Sequence, residues 1–224
     1  MSNSTFDFNV FIKESKDVLT NPKAYFSTMK TTGGIAEPLI KAGIYGVVAG
    51  VIALIWSFLK IGGMTGGLFG GAVGIMMFVW YIIAAIIGLF IGAVILLIIS
   101  AICKGNTDFE ACARVTASAM VIMPISALLS FISGLNLTAG SIVGLVVNMY
   151  MLYLLYHGLV EALKSKPDTT KIVMYVLAAL LVLFFIIGLG AKRRAGKFMD
   201  EFKNSDLQEM IENAQQESED SVEE

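Results

Sequence analysis

Four stretches of this sequence contain no Asp, Glu, Lys or Arg: residues 42–59, 61–103, 115–160 and 172–191. They are 18, 43, 46 and 20 residues long and together cover 127 of the 224 positions. About 18 uncharged, apolar residues suffice for a helix to cross the hydrocarbon core of a bilayer. Inside lipid a helix is also one of the few structures that satisfies its own backbone polar groups. Composition agrees. The chain is 56% hydrophobic and 15% charged, where a soluble domain carries about 25% charged residues. The fold class that follows is all-α: a polytopic membrane helical bundle.

The same features narrow the chemistry. A net charge of −2 leaves no basic surface for nucleic acid. Two cysteines, Cys103 and Cys112, make neither a disulfide framework nor a zinc site, and the single histidine cannot build a multi-histidine centre. No Ser/His/Asp order, His-Glu-x-x-His helix or phosphate-binding loop occurs. The reading is a non-enzyme with no catalytic residues, no metal site and no cofactor. Residues 1–30 mix Asp7, Lys13, Glu14, Lys16 and Asp17 with apolar positions, a pattern no secretory signal would carry.

Three zones organise the chain. Residues 1–36 read as an interfacial amphipathic segment: Phe8, Phe11, Ile12 and Leu19 recur near helical spacing. Asn21-Pro22 then offers an N-cap followed by proline at the first helical position, with Tyr25, Phe26 and Met29 on one face and Thr32-Gly33-Gly34 as the breaker. Such a segment either lies in the headgroup plane or docks on a partner. Residues 37–191 form the membrane domain. Residues 192–224 form a charged tail holding ten of the 18 acidic residues, all from Asp200 onward; it is too polar to bury a core and reads as disordered.

Five spans are expected, at about 38–59, 73–103, 114–132, 140–162 and 171–189. Glu37 and Lys41 sit one turn apart at the start of the first and can pair there. Trp56 and Lys60 mark its far end. As one helix the 43-residue run would be about 65 Å long, twice the hydrocarbon thickness. No turn-forming residue stands near Trp80-Tyr81, so the run reads as one long span preceded by a glycine-rich connection at 61–74. Asp108 and Glu110 suit the positive end of the third helix, and Pro124 should kink that helix.

Two groups of residues are candidates for function. Gly46 and Gly50 form one G-x-x-x-G, and Gly88 and Gly92 another. Small residues one turn apart let helix backbones approach closely in lipid, either within the bundle or in self-association as a homo-oligomer. The second group is a polar membrane site on the fourth span. Tyr153, His157 and Glu161 follow at four-residue steps and so stack on one helical face, with Asn148 further along. Arg114 is expected at the other end of the same surface, within reach of Glu161. Ionisable groups in a membrane helix default to a functional reading: a proton or cation site, a partner contact, or a capped helix end.

The order of features resembles the Yip-domain family of small membrane proteins, named after interaction with Ypt/Rab GTPases. Val18-Leu-Thr-Asn-Pro-Lys-Ala-Tyr-Phe26 is similar to the family's leader helix, proline and two aromatics. The charged connection Lys104-Gly-Asn-Thr-Asp-Phe-Glu110 leads into a span with an internal proline, here Pro124, and Tyr156-His-Gly-Leu159 closes the fourth span before a lysine-rich loop. The resemblance covers about residues 17–190. The chain shows none of the long hydrophilic N-terminal region of eukaryotic members and so is more similar to the bacterial branch. An aromatic residue common before the family's proline is replaced by Thr116-Ala-Ser-Ala119. The resemblance implies a non-catalytic adaptor or scaffold that organises membrane components or trafficking partners. The alternative is a small ion or solute transporter or channel using the polar face of the fourth span. The partners to expect are the lipid bilayer and other membrane proteins, in a bacterial cytoplasmic membrane.

With five spans and a cytoplasmic N-terminus, ten basic residues fall on the cytoplasmic side and six on the other, in the sense of the positive-inside bias. Reporter fusions after Lys166 and after Lys203 check this. The first should report the cytoplasm and the second the opposite side; a cytoplasmic signal at Lys203 would remove the five-span topology.

Overall fold

The computed structural model describes residues 7–59 and 70–188. The expectations for the stretch 61–69 and for the tail lie outside the described residues. The chain divides into two compact units, residues 1–181 and 182–224. Of the second, the structure describes residues 182–188, a helical stretch with Val182, Leu183, Phe184, Ile186 and Ile187 exposed.

Helix α1, Phe8–Thr20, starts where the Asp7 carboxylate accepts the backbone N–H groups of Asn9 and Val10. It stops at Asn21, whose side chain then caps α2, Pro22–Thr28, by accepting the Ala24 N–H at 3.3 Å. Proline at the first helical position loses nothing there, since that N–H would have no intrahelical partner. One face of this pair is packed against the chain's own bundle: Phe11, Val18 and Phe26 are buried, Phe26 completely. Phe8, Val10 and Ile12 stay exposed on α1. The segment is amphipathic, and its best apolar face is already covered from within.

Among the described residues five helices are long and apolar enough to cross a membrane: Ala36–Phe58, Phe78–Ile102, Phe109–Leu135, Leu137–Ala162 and Pro167–Gly188. The second is the apolar part of one helix, Gly70–Ile102, that runs without a turn through Trp80-Tyr81. Several spans begin earlier than the sequence reading placed them, and local chemistry explains each. Asp108 caps the third by accepting the Glu110 N–H. Asn136 caps the fourth by accepting from Thr138 and Ala139. Pro167 opens the fifth from its first position.

The third span is the centre of the bundle. Half of its apolar window is buried, against 6–33% for the other four, and every residue from 111 to 122 is buried. Most of these are small, among them Ala111, Ala113, Ala117 and Ala119, so neighbouring backbones can come close, which is how helices gain packing energy in lipid. The expected break in this span falls at Met120-Val121, before Pro124. Proline has no N–H to give the carbonyl four residues back and collides with it. That carbonyl belongs to Met120, and it accepts the Met123 N–H at 2.9 Å instead.

Side-chain contacts fix the directions of the spans. The first and third run parallel: Glu37 meets Arg114 at one end, and at the other the Trp56 indole donates to the Ala127 carbonyl at 3.1 Å and packs on Phe131. The first and second run antiparallel, with Gly46 against Tyr81, Ile82 and Ala85, and Gly50 against Phe78. At the charged end, the connection from span two to three and that from four to five hold each other. Asn106 N–H donates to the Leu163 carbonyl at 2.7 Å and Lys166 N–H to the Cys103 carbonyl at 2.9 Å. Each connection turns through a lysine with positive φ, Lys104 at 58° and Lys164 at 54°. The equivalent positions are 60 apart throughout, so the two loops form a local two-fold pair.

These directions bring the charges of the spans to one end. Glu37 and Lys41 open the first span, Glu110 and Arg114 the third, and Asp168 and Lys171 the fifth, while His157 and Glu161 close the fourth. Helices α1 and α2 dock at this same end.

A Cβ on Gly46 would lie 2.7 Å from the Ala85 methyl, and one on Gly50 2.9 Å from the Phe78 ring. One on Gly92 would lie 2.7 Å from the Thr116 methyl. Gly88 departs from the expectation: a Cβ there meets nothing within 4 Å. The buried stripe of the second span is Ala85, Leu89, Ala93 and Leu96, and Gly88 lies off it. Gly46→Leu should therefore cost about 1–3 kcal/mol by overpacking, and Gly88→Leu no more than about 0.5 kcal/mol. Melting of the detergent-purified variants checks this, and equal melting of the two would contradict the packing described.

Candidate functional site

At the charged end, Lys41 and Arg114 are both buried, their side chains 9% and 6% exposed. A charge taken out of water is costly unless partnered, and each has more than one partner. The Lys41 ammonium lies 2.7 Å from Glu14 of α1 and 2.9 Å from Glu37. The Arg114 guanidinium donates through Nη1 to Glu37 at 2.7 Å, through Nε to Glu110 at 3.1 Å and through Nη2 to the Gly34 carbonyl at 3.0 Å. Glu37 thus gives one oxygen to each cation. Glu110 also accepts the Gly34 N–H at 2.6 Å. The linker between α2 and the first span closes over Arg114 through Gly33 and Gly34, with φ of 130° and 93°. That backbone conformation suits glycine, and a Cβ on Gly33 would fall 2.8 Å from Nη2 of Arg114.

Hydroxyl groups extend the network. Tyr25 OH and Ser118 Oγ are 3.0 Å apart, and Ser118 donates to the Arg114 carbonyl. Tyr45 OH and Ser15 Oγ are 2.8 Å apart, and Tyr150 OH donates to the Leu19 carbonyl at the end of α1. Burial pushes the Tyr25 phenol above its ordinary pKa, with the Lys41 charge pulling the other way. Above this network lies a cavity of about 460 Å³, bounded by α1, α2 and the first turns of spans one and three.

The structure divides the residues singled out from sequence. Tyr153 and His157 touch edge to face with ring centroids 4.7 Å apart, and Tyr156 meets His157 at 5.2 Å. His157 Nδ1 is buried and has no hydrogen-bond partner among the described residues. Glu161 sits in a wide π-type turn, Gly158–Ala162, that ends the fourth helix. There Gly158 lies against Val115 and Phe26, too close for any side chain. Arg114 does not join this face: its ion pairs are with Glu37 and Glu110, so the expected pairing with Glu161 is corrected. Those carboxylates lie beside Arg114 on the third span and on the parallel first span, and they take up its donors. Asn148 is exposed and donates to the Gly144 carbonyl of its own helix.

Sequence reading found Arg114 and the Glu37–Lys41 pair but missed Glu14, Tyr25 and the role of Glu110. The four-residue spacing of Glu110 and Arg114 was a usable signal. No local signal joins Glu14 to Lys41.

The Yip1 domain family model matches residues 16–190. The chain belongs to the Yip1 domain family. No curated protein and no solved structure matches it. The matched Yip1 region contains α2 and all five spans, and with them Lys41, Arg114 and Glu37; Glu14 lies just before it. The chain is thus an integral membrane protein of this family whose buried charges are gathered at one end.

Arg114→Met in this Yip1 protein leaves Glu37 and Glu110 short of a cation and should cost about 2–4 kcal/mol. Glu161→Gln, outside the network, should change stability by no more than about 0.5 kcal/mol. Unfolding titrations of the purified variants in mixed micelles check the pair of values, and equal effects would contradict the arrangement.

Proposed function

We propose that this Yip1-domain protein is a non-catalytic membrane adaptor that organises other membrane components or trafficking partners. One observation carries the reading. The charged groups of the five described spans all stand in outer turns at a single end, where α1 and α2 also lie. The middles of the described spans hold no charged residue, and the one mid-span amide of the fourth, Asn148, is turned onto its own helix at the Gly144 carbonyl. A transport pathway needs groups at depth to replace the hydration of a travelling ion, whereas an adaptor needs a water-facing platform. Family membership supports the same reading. The platform end faces the cytoplasm, as the excess of basic residues on that side suggests, and the membrane is the bacterial cytoplasmic membrane.

The adaptor reading expects no proton, potassium or sodium flux from purified protein in liposomes, including after a pH jump across the histidine range. It also expects photo-crosslinks to other membrane proteins to be richer from a probe at Ser27 on α2 than from one at Leu135 at the opposite end. Robust flux that disappears in both His157→Ala and Glu161→Gln would overturn it.

A further inference from the structure

We propose that the cavity between α1, α2 and the first turns of spans one and three binds the headgroup of a lipid carrying a phosphodiester and a primary ammonium, that is, a phosphoethanolamine headgroup. This goes beyond the adaptor role and does not rest on it.

Four features of the structure converge. First, the size fits: about 460 Å³ lies within the range of small-molecule sites. Second, the charges are of both signs and nearly balanced. The lining contains Lys13, Lys30, Lys41 and Arg114 against Glu14, Asp17 and Glu37, so a bare anion or a bare cation would be poorly matched and a zwitterion well matched. Third, the charges fall into two layers. Lys41 and Arg114 are buried and held by carboxylates, giving a fixed floor. Lys13, Asp17 and Lys30 make no ion pair among the described residues and remain free for a ligand. Fourth, the position selects a lipid over a soluble zwitterion. Glu37, Pro38 and Lys41 of the lining stand in the first two turns of a membrane span, which is headgroup depth. Val10 of the wall helix α1, itself part of the lining, is an exposed apolar residue, as on a helix lying at the interface.

In this arrangement Lys13 and Lys30 take the phosphate oxygens and Asp17 takes the ammonium. Phosphocholine has the same two charges, but its quaternary nitrogen has no N–H to donate. A site that hydrogen-bonds an ammonium rejects the analogue lacking the donor, by about tenfold for one charge-assisted bond.

The test uses the full-length protein in nanodiscs of equal parts phosphatidylethanolamine, phosphatidylcholine and phosphatidylglycerol, with native mass spectrometry of the lipid retained on release. Phosphatidylethanolamine should be retained about tenfold over phosphatidylcholine, at one lipid per chain. The enrichment should vanish in the Lys13→Ala, Asp17→Asn, Lys30→Ala triple variant. Asp17→Asn alone changes no shape and keeps the test independent of folding; it should remove the preference for ethanolamine over choline. Free phosphoethanolamine at millimolar concentration should leave the retained lipid in place. Preferential retention of phosphatidylglycerol would make this an anion site and overturn the proposal. So would equal retention of the three lipids, unchanged enrichment in both variants, or displacement by free phosphoethanolamine.

Discussion

Glu37 places one oxygen on Lys41 and the other on Arg114, and the end of the bundle is organised by the need to neutralise those two buried cations. Each costs several kcal/mol to remove from water, and only good geometry with several partners returns it. The partners come from far apart in sequence. Glu14 brings α1, Glu110 the start of the third span, and the Gly34 carbonyl the linker. Arginine matters here for its planar fork, which serves three acceptors in fixed directions that an ammonium could not reproduce. The network also explains why residues 8–28 belong to the folded body. Glu14 gives the buried Lys41 a second carboxylate that the spans alone do not supply.

Packing in the rest of the bundle follows a different rule. Lipid supplies no hydrophobic drive between helices, so contact area and close approach decide. The small residues of the third span and Gly46, Gly50 and Gly92 on its neighbours give that approach. The reciprocal hydrogen bonds between the 103–108 and 163–167 connections then fix the same end at which the charges sit. Close packing and fixed loops thus support one polar platform, on which the proposed adaptor role and the proposed headgroup site both depend.

Much of this fold was legible because its strongest signals are local. Charge-free runs gave the five spans, and Asn21-Pro22 gave the start of α2. The fourth and fifth spans begin earlier than expected because Asn136 and Pro167, which look like connection residues, supply cap and first-turn chemistry. The site was legible only in part. Glu37–Lys41 and Glu110–Arg114 are neighbours on their helices, and spacing reveals them. Arg114 was assigned to Glu161 because nothing local shows that the first and third spans run parallel, with Glu37 beside it. Gly88 and Gly92 are equivalent in sequence, yet only Gly92 reaches the third span. Which face of an apolar helix is covered depends on its neighbours, and a sequence apolar all round does not encode it.

Helices α1 and α2 are bound to the spans through the buried charges and do not float at the membrane surface. Hydrogen exchange of residues 8–28 in nanodiscs, compared between the native chain and Lys41→Met, tests this most directly. Both helices should be strongly protected in the native chain and selectively lose protection in the variant, with the third span unchanged. Fast exchange of residues 8–28 in the native chain, or protection indifferent to Lys41, would contradict it.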